Sequence, residues 1–336
     1  METGKYPWAC TESSNMTRRC LVTGIAGQDG SYLAEQLSAK GYEVHGMEPD
    51  LAAAKLWRLK PVRKRIKLMK GDITDPRSTL RAVRKVAPDE VYHLAAPSSV
   101  AGSYRNPRDT IMAITSGTEH LLRAVESESP DARVFLASSS EMFGRPKESP
   151  QDERTPLSPV SPYGSAKTIA HLLGAEYRES RGLFVCSGIL YNHESPRRTP
   201  EFVTRKISLG VARIAHGLQK RIELGNLDSR RDWGYAPEYT DAMWRMLQQG
   251  KPEDYVVATG ETHTVREFVS EACRVAGVED PERIVTVKKE FFREEKGKEL
   301  RGNPSKAKRK LHWSAKTGFR ELVRMMVEAD LGSIDG

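Results

Sequence analysis

The sequence predicts an α/β fold: a doubly wound parallel sheet with a smaller C-terminal α/β lobe. Three observations predict it. The apolar run Arg18-Arg-Cys-Leu-Val-Thr23 passes straight into a glycine-rich turn, Gly24-Ile-Ala-Gly27-Gln-Asp-Gly30, and then into a helical stretch, 31–40, ended by Gly41. Further β-compatible runs recur up to 190 with short connections and no internal repeat, the pattern of six or seven βα units in one sheet. Beyond 190 the pattern breaks into shorter elements with charged loops, so a lobe interleaved with the first is expected there.

Each element has its own argument. Gly24, Gly27 and Gly30 permit a tight bend and close backbone approach, Gln28 and Asp29 within the turn are assigned to the cofactor, and the helix that follows offers N–H groups and a dipole that attract a pyrophosphate. This is a Rossmann-type dinucleotide signature. The second strand, Glu43-Val-His-Gly-Met47, runs into Glu48-Pro-Asp50. Asp50 stands about where a carboxylate would hydrogen-bond the adenosine ribose diol and repel a 2′-phosphate, favouring NAD over NADP. Glu48 is the alternative. A third strand from Lys67 ends at Asp72-Ile73; Asp72 is assigned to the adenine amino group, with Ile73 beside it. The competing role for Asp72 is a cap for the helix opened by Asp75-Pro-Arg77. In the fourth strand, Glu90 to Ala96, the residues Leu94, Ala95 and Ala96 are assigned to the cofactor, the small residues of Pro97-Ser-Ser99 let it lie close, and Ser98 is assigned to the substrate. His93, inside the strand, is expected to pack. A long helix near Asp109 to Ser127 then leads to the next strand.

That strand, Arg133-Val-Phe-Leu-Ala137, delivers Ser139 and Glu141 to the crevice beyond the carboxyl ends of the sheet. Two positions apart in an extended chain, the pair would leave on one face. Tyr163 and Lys167, four apart in a helix entered after Pro162, also share a face. A free phenol titrates near 10, and a neighbouring lysine is expected to favour its phenolate. Ser139, Tyr163 and Lys167 are thus suited to taking a proton from a carbinol while a hydride leaves its carbon. A solvated tyrosine and lysine on an ordinary helix is the competing account.

Composition excludes several classes. The chain has 336 residues, 38% apolar and 29% charged, enough for a large core in one or two domains. No apolar run approaches the roughly 20 residues that span a bilayer, so no membrane role is expected. The four cysteines have no zinc-ligand spacing, so no metal and a reducing cytoplasmic location are expected. The net charge of +8 includes basic clusters at 63–67 and 306–310, but without interleaved aromatics these read as solvated charge and not as a nucleic-acid surface. Residues 1–16 are expected to be a disordered leader or a cloning remnant, 17–190 the dinucleotide-binding domain with the catalytic residues, and 191–331 mostly a substrate-binding lobe.

The stretches VTGIAGQDGSYLAEQL, EVYHLAA, SSSEMFG, SPYGSAK, GILYNHESPRR, FVTRKI and LGNLDSRRDWG resemble the GDP-mannose 4,6-dehydratase family of the extended short-chain dehydrogenase/reductases, from Thr17 to about Leu331. The resemblance implies oxidation of a GDP-linked hexose at C4 with Tyr163 as base, loss of water across C5 and C6 through Glu141 aided by Ser139, and hydride return to C6. It implies cofactor contacts for His193 and Arg198, and substrate contacts for Asn192, Val203, Lys206, Arg231 and Arg293. It also implies a homodimer or homotetramer. A 4-epimerase, a dehydratase of another GDP-hexose or GDP-heptose, and a non-catalytic dinucleotide sensor remain the alternatives. The chain departs from the family pattern in six places, one of them Ala52-Ala-Ala54 where the family has a Ser-rich loop. Ser139 stands for Thr. Asp50-Leu51 stands for the paired arginines that grip the 2′-phosphate of NADP, the family's usual cofactor. Pro97 stands for Gln, Ile114 for a polar residue, and Lys296 for the acid expected at the nucleotide ribose.

Overall fold

The computed structural model describes residues 17–292 and 299–334. Its first half alternates strand and helix: β1 (Arg19–Thr23), α1 (Gln28–Ala39), β2 (Glu43–Glu48), β3 (Ile66–Lys70), α2 (Pro76–Val86) and β4 (Glu90–His93). There follow α3 (Val100–Arg105), α4 (Pro107–Glu128), β5 (Arg133–Ser139), α5 (Pro162–Arg181) and β6 (Phe184–Leu190). The second half has β7 (Asn192–Glu194), α6 (Val203–Ala215), β8 (Ile222–Leu224), β9 (Arg230–Arg231), β10 (Trp233–Tyr235), α7 (Ala236–Leu247) and β11 (Tyr255–Val257). It closes with β12 (His263–Thr264), α8 (Val265–Ala276), β13 (Val285–Val287), α9 (Ser305–Leu311) and α10 (Phe319–Ile334).

Strand periodicity decides how the main sheet is covered, because successive side chains leave on opposite faces. Cys20, Val22, Tyr92, Phe135 and Cys186 point into one core with Leu33 and Leu37 of α1 and Met243 and Met246 of α7. Their neighbours Leu21, Val91, Val134 and Val185 point into the other, against α2, α4 and Tyr177 of α5. The sheet has seven parallel strands in the order β11-β6-β5-β4-β1-β2-β3. The chain winds outward in both directions from the β1–β4 pair, which opens a crevice at their carboxyl ends.

Residues beyond 190 do two different things. The segment through α7 and β11 returns to the main sheet, and β11 pairs with β6 through Tyr255↔Gly188 and Val257↔Leu190. α6, α8, α10, β8 and β13 build a separate core centred on Ile207, Phe268, Trp233 and Met326, while α9 lends Ala307 and Leu311 to the core of the main sheet.

The expected elements shift at their ends. α1 begins at Gln28 because Gly27 is its N-cap, and β4 stops at His93. β5 runs on to Ser139, after which residues 140–142 form a 3₁₀ turn, so Ser139 and Glu141 are not two residues of one extended strand. The cause is local: the Glu141 N–H donates to Ser139 Oγ at 3.2 Å and closes the turn. Among the described residues no helix is long and apolar enough to cross a membrane.

Candidate active site

The glycine turn is shaped by close approach. Gly24 has φ +70° and lies against the Ala95 backbone, where an added Cβ would sit 2.9 Å away. A Cβ on Gly30 would meet Ile25 Cα at 2.6 Å. Gly27 gives α1 no side-chain cap, which leaves first-turn N–H groups for phosphate oxygens. On the far side, Thr23 Oγ1 accepts from the Leu94 and Ala95 N–H groups and bonds His93 Nδ1 at 2.9 Å. Burial, reinforced by the Lys167 charge, pushes His93 down to about 3, so it is a neutral packing residue. This cradle fits a dinucleotide.

At the adenosine end the two candidate carboxylates behave differently. Asp50 accepts from Ala52 N–H at 2.8 Å and Ala53 N–H at 3.3 Å, within its own exposed loop. Glu48 instead accepts from Ala26 N–H of the glycine turn at 2.6 Å, and burial holds its pKa above the ordinary carboxylate range. Of the two, Glu48 is tied to the glycine turn, whereas the Asp50 carboxylate is engaged within its own loop. Asp72 braces Thr74, accepting from its N–H and Oγ1 at 2.8 Å each, and it is Asp75 that caps α2. Ile73 is buried beside Gly117 of α4.

The segment after β6 is clamped onto the first turn of α1. Gln28 Nε2 donates to the His193 carbonyl at 3.1 Å, and Ser195 Oγ donates to Gln28 Oε1 at 2.8 Å. His193 Nε2 lies 2.9 Å from Asp29 Oδ2. Burial opposes both charges, but their mutual attraction prevails, raising the imidazole pKa and lowering the carboxyl pKa. Arg198 pairs with Glu194 at 3.2 Å and stacks 3.5 Å over Phe202. Sequence spacing gave no sign of this clamp, because its partners are more than 160 positions apart.

Ser139, Glu141, Tyr163 and Lys167 meet at the end of β5. α5 starts with Pro162 at its first turn and is capped by Ser161 Oγ, which accepts from Gly164 N–H at 3.0 Å. Gly164 brings that turn so close to residues 140–142 that a Cβ would sit 2.6 Å from the Glu141 carbonyl. Burial pushes the Tyr163 phenol up to about 12; its hydrogen bond with Ser139 works the other way, and the Glu141 carboxylate adds to the rise. Lys167 is brought down to about 8 by burial. Its ammonium donates to the Ala137 carbonyl at 2.7 Å and lies 5.8 Å from the centre of the Tyr163 ring. Burial is thus the largest influence on the Tyr163 phenol, and Lys167 is anchored to β5 through one of its ammonium protons. Ile114, with Ala166 and Ala170, packs against Tyr163 and forms a dry wall.

The other predicted substrate residues are spread more widely. Ser98 and Pro97 are exposed after β4, and Ala96 packs near Tyr163. Asn192, half-buried in β7, pairs with Trp233 of β10. Val203 opens α6 against the second core, and Lys206 stands 4.4 Å over the Phe291 ring. Arg231 Nη1 donates to the Arg230 carbonyl at 2.7 Å. Arg293 and Lys296 lie outside the described residues. Sequence reasoning missed Arg230, whose Nε donates to Glu299 at 2.9 Å in a cavity of ≈ 410 Å³ shared with Thr262, His263 and Arg301. It also missed Asp232, buried under four donor bonds from Thr259, Gly260 and Gly302.

The family model for GDP-mannose 4,6 dehydratase matches residues 21–326. The chain belongs to the GDP-mannose 4,6-dehydratase family. Within the family, GDP-mannose 4,6 dehydratase 1 of Arabidopsis thaliana is 46% identical over 93% of this chain and 89% of its own length. The human GDP-mannose 4,6 dehydratase is 42% identical over 93% and 91%. A Thermus thermophilus UDP-glucose 4-epimerase, solved with NAD, superposes with a TM-score of 0.82 at 27% identity, covering 94% of this chain and 99% of that one.

Proposed function

We propose that the chain is a sugar-nucleotide 4,6-dehydratase that converts GDP-mannose to GDP-4-keto-6-deoxymannose with a nicotinamide dinucleotide. Family membership supports the reaction class, and one geometric observation carries it: a carboxylate, Glu141, is held beside the buried Tyr163 by a turn that Ser139 closes. A 4-epimerase or simple dehydrogenase has no use for that acid, since neither touches C5.

When bound, the oxidised dinucleotide accepts and later returns a hydride, and its positive charge favours the tyrosine phenolate. Tyr163 takes the C4 hydroxyl proton, with Ser139 hydrogen-bonded to the same oxygen. Lys167, fixed to Ala137, holds a positive charge one helical turn away. The resulting C4 ketone acidifies C5–H. Glu141 removes that proton and delivers one to the departing C6 hydroxyl, so water leaves. C6 then takes the hydride that C4 lost and C5 takes a proton in place of the one Glu141 removed, which conserves the redox state overall. The cofactor is regenerated each turn and needs no exchange.

A carboxylate at the end of β2 and the lack of paired arginines at 50–51 support NAD as the dinucleotide. The sugar-nucleotide end is assigned to the lobe formed within 191–331. Exposed apolar side chains on neighbouring helices, Met112 on α4 and Ile169 and Leu172 on α5, support a homodimer formed through that face. Sedimentation should give twice the chain mass, and Ile169→Glu with Leu172→Glu should give a monomer.

Incubating the protein with NAD and GDP-mannose tests the activity. A product lighter by one water is expected in mass spectrometry; an isomer of unchanged mass, or binding without any product, would overturn the assignment.

A further inference from the structure

We propose that His171 is a positioning residue of the active site: by gripping Ser138 from α5, it fixes the strand end that carries Ser139 and anchors Lys167. This rests on the dehydratase reading and goes beyond it, because His171 lies one helical turn past Lys167 and acts through its neighbours.

β5 needs such a grip where it ends. Its pairing with β4 stops at His93↔Leu136, whereas β6 continues beside it through Ala137↔Gly188, Ser138↔Ile189 and Ser139↔Leu190. Among the described residues, strand pairing therefore holds 137–139 along one edge. The two flanking residues are already engaged. The Ala137 carbonyl accepts from Lys167 Nζ at 2.7 Å, and Ser139 Oγ accepts from the Glu141 N–H at 3.2 Å. Ser138 alternates to the opposite face of the strand and meets α5, where its Oγ lies 3.1 Å from His171 Nδ1.

His171 is itself held from behind. Successive turns of α5 put Tyr163, Lys167, His171, Gly174 and Arg178 on one face. A Cβ on Gly174 would sit 2.6 Å from Leu136 Cδ1, so the helix lies close enough to β5 for the imidazole to reach Ser138. Arg178 donates to both oxygens of Asp254, at 2.7 and 3.0 Å, and the Ser187 N–H donates to Oδ1 at 3.2 Å. Asp254, just before β11, is thereby kept 3.9 Å from His171 Nε2. An acid on that side favours the tautomer with its proton on Nε2, which leaves Nδ1 to accept from the Ser138 hydroxyl. Burial lowers the His171 pKa against the pull of Asp254, so the ring is neutral and this bond keeps its sense. An apolar side chain would fill the same space without orienting Ser138. Rotation at residue 138 would then turn the Ala137 carbonyl and the Ser139 hydroxyl together.

Steady-state kinetics of the full chain with NAD and GDP-mannose test this, with melting and NAD binding measured on every variant. His171→Leu should lower kcat about tenfold, the scale of one lost hydrogen bond and a small misplacement of reacting groups. KM for GDP-mannose, set by the other lobe, should stay within about twofold. His171→Asn puts an amide oxygen about where Nδ1 stands and should recover kcat to within about threefold of wild type, whereas the longer His171→Gln should not. Ser138→Ala should match His171→Leu, and the double variant should be no worse than either single, because one interaction is removed once. Should His171→Leu melt too low to assay, Ser138→Ala and His171→Asn carry the same comparison. An unchanged kcat in His171→Leu or Ser138→Ala, a change confined to KM, no recovery in His171→Asn, or additive losses in the double variant would overturn the proposal and leave the dehydratase reading intact. No dehydration by the wild type would remove that reading, and this role with it.

Discussion

Glu141 and Tyr163 stand side by side yet serve different carbons in the proposed reaction, so their variants should separate. Glu141→Gln should slow C5 proton exchange and water loss by roughly 10²-fold or more, while single-turnover reduction of the cofactor survives. Stopped-flow absorbance of the reduced cofactor checks this, and equal losses in both steps would sink the division of labour. Lys167 makes a pH prediction. Its folded pKa of about 8 lies below its ordinary 10.5, so between these values the unfolded chain binds more protons. Stability therefore rises with pH across that window until Tyr163, raised to about 12 by burial, begins to oppose it above 10. Lys167→Met should abolish the rise between pH 8 and 10, as read from urea midpoints. The four-residue spacing of Tyr163 and Lys167 was legible because helical period alone puts them on one face. Their titration was not, because burial by Ile114, Ala166 and Ala170 comes from the fold.

At the scale of elements, the glycine turn is held by backbone fit. Gly24 combines φ +70° with the Ala95 contact, and Gly24→Ala should cost about 1–3 kcal/mol and weaken dinucleotide binding at once. Thermal melts with and without NAD measure both; a variant that melts and binds like the wild type would contradict the geometry. Strand, turn and helix were readable here because each has a local signature: an apolar run, spaced glycines and a helical stretch ended by Gly41. The same held for α5, with Pro162 after Ser161 at its start and Gly182, φ +74°, at its end. Local signatures failed where a side chain decides the backbone. Ser139 ends β5 by capping the next turn, and Asp50 folds back on residues 52–53, and neither event leaves a periodicity to find. The clamp from Gln28 and Asp29 to residues 193–195 was hidden for the simpler reason that long-range pairs carry no local pattern.

For the whole molecule, the doubly wound sheet was foreseen from the succession of strands and helices, and its order puts the β1–β4 crevice beside the residues discussed above. The late return of the chain was less visible, since Tyr255-Val-Val257 is a three-residue run with no helix-length crossover pattern of its own. Yet β6 is buried along its whole length, and α7 supplies Tyr239, Met243 and Met246 to the core that Phe135 and Tyr92 share. During synthesis, the ribosome releases six strands well before the piece that seals their outer border. Until residue 257 emerges, β6 offers unsatisfied amides and a greasy flank to any passing chain. Expressing 17–190 alone should accordingly give insoluble material, and co-expressing 191–334 as a separate polypeptide should rescue some of it.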